Sequence, residues 1–108
     1  MTLRTADQAG VMRGLRAGPP AEIGGQPVTE RADLADGGPG GLPRADVLIF
    51  RLGGDRVVLR PSGTEPKIKC YIEVVEPVAG RSLAAARQAA GERLAPLRHA
   101  LEAMLAGP

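Results

Sequence analysis

The most regular pattern of apolar and polar positions runs from Lys67 to Val75, where every second residue is apolar. A period of two is typical of a β-strand with one buried face. The polar side of this strand would carry Lys67, Lys69, Tyr71 and Glu73, and the apolar side Ile68, Cys70, Ile72 and Val74. Two short apolar runs, 46–52 and 56–60, precede it, and the Gly53-Gly54-Asp55 sequence between them is typical of a hairpin turn.

Helical spacing flanks these strands on both sides. Ser82 can cap a C-terminal helix, in which Pro96 either introduces a kink or starts a second helix. The apolar residues of this helix recur at intervals of three and four and are Leu83, Ala86, Ala90, Leu94, Leu97, Leu101, Met104 and Leu105. At the other end of the chain we predict a helix that starts at Thr2 or Thr5, ends near Arg16 and has an apolar stripe of Leu3, Val11, Met12 and Leu15.

The order of helix, strands and helix predicts an α+β fold with an antiparallel sheet. Partial alternation over 26–34 predicts one more strand, which Pro27 places at a sheet edge because proline has no N–H to donate. The Gly- and Pro-rich segment 36–43 matches neither a Gly-x-Gly-x-x-Gly motif nor a Walker loop, so we expect a surface loop there. A length of 108 residues suits a single domain that covers residues 1–108.

Composition and charge add a few limits. Aromatic residues make up only 2% of the chain, which predicts a thin core, and the net charge of +2 neither requires nor excludes a polyanionic partner. The single cysteine cannot form an internal disulfide, and no run approaches the ~20 apolar residues of a membrane span, so we expect a cytoplasmic protein. Cys70 lies on the apolar side of its strand and is expected to be a core residue, while His99, with no second ligand at metal-binding spacing, is expected to face solvent.

The loop at 60–67 has the sequence Arg-Pro-Ser-Gly-Thr-Glu-Pro-Lys and joins two of the predicted strands. Pro61 and Pro66 restrict the backbone at both ends of the loop. Between them we expect Gly63 to adopt a positive φ, which would turn successive N–H groups into one concavity that can bind an anion.

Hydrogen-bond donors and positive charges are concentrated in the same loop. Ser62 and Thr64 supply hydroxyl groups, and Arg60 supplies a planar guanidinium that matches phosphate oxygens. Lys67 and Lys69 add mobile ammonium groups. The same residue types also build an ordinary tight hairpin turn, so the chemistry alone leaves both a phosphate site and a structural turn open.

The 60–67 loop resembles the phosphate-binding loop of the α-D-phosphohexomutases, the phosphoglucomutase and phosphomannomutase family. The strands at 57–59 and 68–71 and the run at 45–52 extend the resemblance. It implies the fourth and last domain of such an enzyme, with a TATA-binding-protein-like fold in which helices cover a sheet of about four strands. In this family the loop holds the phosphate that is not being transferred. The implied ligands are Arg60, Ser62, Gly63 through its amide, Thr64 and Lys69, supported by Pro61, Pro66 and Lys67, with Glu65 turned away onto Lys67 or a backbone amide.

The other functional motifs of the family are absent from this sequence. There is no Ser-His pair for the catalytic phosphoserine, no Asp-x-Asp-x-Asp magnesium loop and no Gly-Glu-x-Ser sugar-ring loop. The resemblance therefore implies that the parent enzyme interconverts hexose 1-phosphate and 6-phosphate of glucose or mannose. Its Mg²⁺ would lie on the missing N-terminal domains, and this chain alone would bind no cofactor and have no activity.

Two further hypotheses stay open. The first is a non-catalytic module that binds single-stranded nucleic acid or another polyanion on a basic sheet face composed of Arg56, Arg60, Lys67, Lys69 and Tyr71. Such modules normally use several stacked aromatic side chains, whereas Phe50 and Tyr71 are the only two in this sequence. The second is a truncated or excised domain with no activity of its own.

Overall fold

Two helices cover one face of an antiparallel sheet in the computed structural model, which describes residues 1–5, 7–37 and 44–105. The strands are β1 (Thr2–Arg4), β2 (Glu22–Ile23), β3 (Gln26–Pro27), β4 (Glu30–Asp33), β5 (Leu48–Leu52), β6 (Asp55–Pro61) and β7 (Lys67–Glu73). The helices are α1 (Gln8–Ala17) and α2 (Leu83–Leu105), with a 3-10 turn at Leu34–Asp36. Most of the loop expected at 36–43, namely residues 38–43, lies outside the described residues.

The main sheet has the strand order β1-β7-β6-β5-β4, and every neighbouring pair is antiparallel. β2 and β3 form a separate two-stranded hairpin. The predicted α+β class with an antiparallel sheet is therefore confirmed. The main sheet has five strands rather than about four, because the N-terminal residues add one at its edge.

The predicted N-terminal helix was wrong in its first turn. Residues Thr2–Arg4 form β1, and Leu3 lies opposite Ile68 on β7. Helix α1 starts only at Gln8, where the Asp7 side chain accepts a hydrogen bond from the Gly10 N–H over 2.9 Å. The edge of β7 would otherwise expose unpaired N–H and C=O groups, and pairing with β1 satisfies them.

Helix α2 continues through Pro96, so the alternative of a second helix starting there was wrong. Ser82 caps the helix as predicted, because its hydroxyl oxygen accepts a hydrogen bond from the Ala85 N–H over 3.1 Å. The segment predicted as one strand over 26–34 is also divided, between β3 and β4. Pro27, predicted at a sheet edge, lies in β3 of the separate two-stranded hairpin, while β4 forms one edge of the main sheet.

The core lies between α1, α2 and one face of the main sheet, and the alternation predicted for β7 is confirmed. Its buried side chains are Met12, Ile23, Leu48, Phe50, Leu52, Val57, Leu59, Ile68, Cys70, Leu97, Leu101 and Leu105. Cys70 is 1% exposed, which confirms the expected core residue, and burial raises the pKa of its thiol to about 11. His99 is exposed on α2, as expected.

The opposite face of the main sheet, called the open face below, carries charged side chains together with a less polar row formed by Ile49, Val58 and Tyr71. Arg56 and Glu73 lie opposite each other there and form an ion pair of 2.8 Å. Arg51 approaches Glu30 to 3.7 Å. Tyr71, two residues before Glu73 on the same face of β7, is 54% exposed. This face and the 60–67 loop at its end form the surface on which the predicted site lies.

A buried ion pair fixes α2 to the sheet. Asp55, which is 4% exposed, accepts hydrogen bonds from the Arg93 Nε over 3.0 Å and from the Val75 N–H over 3.0 Å. Arg93 also reaches Glu76, with 2.5 Å between Nη1 and Oε2. Burial alone would raise the pKa of Asp55, but the hydrogen bonds from Arg93 and Val75 outweigh it and hold that pKa below its ordinary value of 3.8.

Gly24, in the turn between β2 and β3, allows the hairpin to approach α2 closely. Its φ is +59°, and a Cβ at this position would lie 2.9 Å from the backbone of Pro96 and Leu97. We expect Gly24→Ala to lower the free energy of unfolding by about 2 kcal/mol, from backbone strain together with the clash. Urea unfolding followed by circular dichroism measures this loss.

Gly25→Ala provides the matched control for this prediction. Gly25 has a φ of +83°, but nothing lies within 4 Å of an added Cβ. Gly25→Ala should therefore lower the free energy of unfolding by about 1 kcal/mol, from the strain of the left-handed conformation alone. Equal losses in the two variants would show that the contact with α2 contributes nothing.

Candidate functional site

The 60–67 loop connects the end of β6 to the start of β7 at one end of the main sheet. Arg60 lies opposite Lys69, and Pro61 lies opposite Ile68, so the two strands remain paired up to the loop. Because directly opposed residues point to the same face of a sheet, Arg60 and Lys69 both lie on the open face. The structure thus places a guanidinium and an ammonium group side by side at the base of the loop.

Three internal hydrogen bonds define the shape of the loop. The Ser62 N–H donates to the Lys67 carbonyl over 2.8 Å, and the Lys67 N–H donates to the Glu65 carbonyl over 2.8 Å. The Glu65 N–H donates to the Ser62 hydroxyl oxygen over 3.3 Å. The N–H groups of Gly63 and Thr64 have no acceptor among the described residues, so two neighbouring amides are free to bind a ligand.

The expectation of a positive φ at Gly63 was wrong, because Gly63 is not among the described glycines with positive φ. The loop turns instead through the hydrogen bond from Glu65 to Ser62, which a serine side chain can accept in a local turn. Nothing lies within 4 Å of a Cβ added at Gly63. The position of its missing side chain is therefore open space.

Residues from the N-terminal segment hold the back of the loop. The Thr5 N–H donates to the Pro66 carbonyl over 2.8 Å. The Gln8 side-chain amide donates to the Glu65 carbonyl over 2.6 Å. Sequence reasoning missed both contacts, because Thr5 and Gln8 carry no local signal for a partner that lies 57 or more positions along the chain.

Glu65 turns onto Lys67, as the resemblance implied, with 2.8 Å between its Oε2 and the lysine Nζ. The hydrogen bond and the charge of Lys67 lower the pKa of Glu65 below its usual value, and the charges of Lys69 and Arg4 add to this effect. The Glu65 carboxylate is therefore ionised at neutral pH and is bonded to Lys67. Lys67 is bonded to Glu65 and so supports the loop electrostatically. Arg60 and Lys69, in contrast, have no ion pair among the described residues.

The structure brings all of the predicted site residues together at one end of the sheet. Arg60 and Lys69 lie on the open face, Ser62, Gly63 and Thr64 lie within the loop, and Pro61, Pro66 and Lys67 form its two ends. Phe50 is fully buried, so the open face presents Tyr71 as its one aromatic side chain in this sequence. A stacking platform for nucleic acid therefore has a single aromatic residue.

Metal sites and membrane-spanning helices are the two other features considered for the described residues. Within residues 1–5, 7–37 and 44–105, no group of three or more His, Cys, Asp or Glu side chains could hold a metal ion. None of the helices in the same residues has the length and apolar character needed to cross a membrane.

Comparison with known proteins identifies the family. The model of the phosphoglucomutase/phosphomannomutase C-terminal domain matches residues 20–90, which include the 60–67 loop. A probable phosphomannomutase from Haemophilus influenzae is 39% identical over 77 residues, which are 68% of this chain and 15% of that protein. The chain thus spans a small part of that relative, and no solved structure matches it. Since the matched region covers more than half of the sequence, the chain belongs to the phosphoglucomutase/phosphomannomutase C-terminal domain family.

Proposed function

We propose that this domain holds the non-reacting phosphate of a hexose phosphate within a phosphohexomutase. The observation that carries the proposal is the pair of N–H groups at Gly63 and Thr64, flanked by the cations of Arg60 and Lys69, because none of these four groups has a partner in the part of the chain that the structure describes. Backbone amides and a planar guanidinium are the groups that most often bind phosphate oxygens in proteins. The Ser62 hydroxyl accepts from Glu65 and keeps its own hydrogen available for donation.

The strength of such a site follows from the number of donors. Each hydrogen bond to a charged group contributes roughly 1.5–3 kcal/mol, so three or four bonds correspond to weak or moderate affinity for the isolated domain. Glu65 does not oppose binding strongly, because Lys67 already neutralises its carboxylate at 2.8 Å. Gly63 and Thr64 are exposed, so a ligand can reach this part of the loop from solvent.

In the full-length enzyme the domain would position its ligand and would not carry out the chemistry. Phosphoryl transfer depends mostly on positioning and on electrostatic stabilisation, so a grip on one phosphate directs the other towards the reacting group. In such an enzyme other domains would hold the Mg²⁺ and the whole protein would be cytoplasmic. Glucose and mannose phosphates both suit a loop that contacts only phosphate.

A titration of the ¹⁵N-labelled domain tests the proposal. Glucose 6-phosphate and mannose 6-phosphate should both shift the amide resonances of Gly63 and Thr64, because the ligand supplies the acceptor that these N–H groups lack. Unphosphorylated glucose, the matched control ligand, should leave them in place. Equal shifts with glucose, or no shift with either phosphosugar, would contradict the proposal.

A short single-stranded oligonucleotide distinguishes the alternative of a nucleic-acid module. Binding on the open face would shift Tyr71 and its strand neighbours and would weaken steeply with salt, because many counterions are released. Binding at a phosphosugar site releases few counterions, so we expect the affinity for glucose 6-phosphate to depend only weakly on salt concentration.

A further inference from the structure

Strand β1 places Arg4 beside the 60–67 loop. Arg4 lies directly opposite Lys67, and Thr2 lies opposite Lys69. Cross-strand partners in an antiparallel pair point to the same face of the sheet, so Arg4 lies on the open face with Lys67 and Lys69. Arg4 is exposed and has no ion pair or side-chain hydrogen bond among the described residues.

The charges around the loop are unbalanced. Arg4, Arg60, Lys67 and Lys69 contribute four cations against the single carboxylate of Glu65, which is already bonded to Lys67. Like charges on directly opposed residues destabilise a sheet, and both the Arg4 with Lys67 pair and the Arg60 with Lys69 pair are of this kind. Such an arrangement lowers the stability of the free domain and becomes favourable when an anion is bound.

The position of Arg4 is fixed relative to the loop. Thr5, the next residue, donates its N–H to the Pro66 carbonyl over 2.8 Å, and Gln8 donates to the Glu65 carbonyl over 2.6 Å. These two hydrogen bonds tie the N-terminal segment to the loop. Arg4 lies outside residues 20–90, so the family match does not include it.

We infer that Arg4 is a further phosphate-binding residue, which supplies a second guanidinium to the 60–67 loop from a different strand. The inference rests on the proposed function of that loop. With Arg60 and Lys69 it forms a cluster of cations that have no ion pair within residues 1–5, 7–37 and 44–105, and such a cluster favours the dianion of a phosphate monoester over the monoanion. The ligand class is thus a phosphate monoester or inorganic phosphate in its doubly charged form.

The test compares Arg4→Gln with Arg98→Gln, an exposed arginine on α2, which covers the opposite face of the sheet. Inorganic phosphate and glucose 6-phosphate are titrated while the Gly63 and Thr64 amides are followed. Arg4→Gln should bind about three- to fivefold more weakly than the wild type at about 20 mM sodium chloride, and the difference should shrink at about 500 mM. For glucose 6-phosphate the difference should also shrink below about pH 6, where the dianion takes up a proton and becomes a monoanion. Arg98→Gln should match the wild type throughout.

Thermal unfolding without ligand separates binding from a structural role. Removing a like charge beside Lys67 should leave the melting temperature of Arg4→Gln unchanged or raise it. A lower melting temperature together with displaced loop resonances in the free variant would show a structural role and overturn the inference. Wild-type affinity in Arg4→Gln, with binding lost in Arg60→Ala, would overturn it while the proposed function stands. If the wild type binds neither inorganic phosphate nor glucose 6-phosphate, the role of Arg4 and the proposed function of the loop are both wrong.

Discussion

Arg60→Ala should abolish detectable phosphate binding while the domain remains folded. Arg60 is exposed at the end of β6 and has no ion pair among the described residues, so its removal leaves no buried group unsatisfied. Loss of a guanidinium that contacts phosphate oxygens removes about 2–3 kcal/mol, or a factor of about 30 to 150 in affinity. The amide shifts of Gly63 and Thr64 in a phosphosugar titration report the loss.

Arg51→Ala is the matched control, because Arg51 also lies on the open face but approaches Glu30 to 3.7 Å and is away from the loop. Its affinity for glucose 6-phosphate should stay within about twofold of the wild type, since an exposed charge at a distance is largely screened by salt. A similar loss in both variants would mean that the face attracts anions through its overall charge. The specific role of the 60–67 loop would then be wrong.

Asp55→Asn should lower the free energy of unfolding by about 2–3 kcal/mol, because it leaves the partly buried Arg93 without its main carboxylate partner. Asp46→Asn is the control, since Asp46 forms an ion pair of 2.6 Å with Arg16 but its side chain is 50% exposed. That variant should lose no more than about 1 kcal/mol. Urea unfolding at neutral pH measures both values, and equal losses would show that burial of the Asp55 pair has no effect on its strength.

The pH dependence of the same variant follows from the lowered pKa of Asp55. The folded state binds this proton less tightly than the unfolded state, so its stabilisation is fully present above the ordinary pKa of 3.8 and is lost as the pH falls below that value. Asp55→Asn has no carboxyl group to titrate. The difference in stability between wild type and variant should therefore narrow below pH 3.8, and a constant difference down to acid unfolding would contradict the assigned pKa direction.

The strands around the loop could be predicted because their signals are local. The two-residue period of β7 and the glycines between β5 and β6 act on neighbouring positions, and the structure has both features. β1 could not be predicted in this way. Thr2–Arg4 is too short to show a period, and the structure of these residues is decided by the free edge of β7, which lies more than 60 positions away.

In the site, too, some features follow from the local sequence and others depend on distant residues. The predicted ligands follow one another in a motif whose chemistry is visible in the sequence, whereas the contacts that hold the motif come from Thr5 and Gln8. Asp55 was interpreted as a turn residue because it follows two glycines, and its role as a buried acceptor depends on Arg93, 38 positions away. Gly63 was assigned a positive φ from its residue type, although a hydrogen bond from Glu65 to Ser62 closes the turn without one.

The pairing of β1 with β7 has a consequence for how the boundaries of this domain are defined. The segment that identifies the family, 20–90, contains the whole 60–67 loop but excludes β1, α1 and the part of α2 that carries Leu97, Leu101 and Leu105. A protein trimmed to the recognisable segment would keep every residue of the motif and lose β1 together with the two hydrogen bonds that Thr5 and Gln8 donate to the loop.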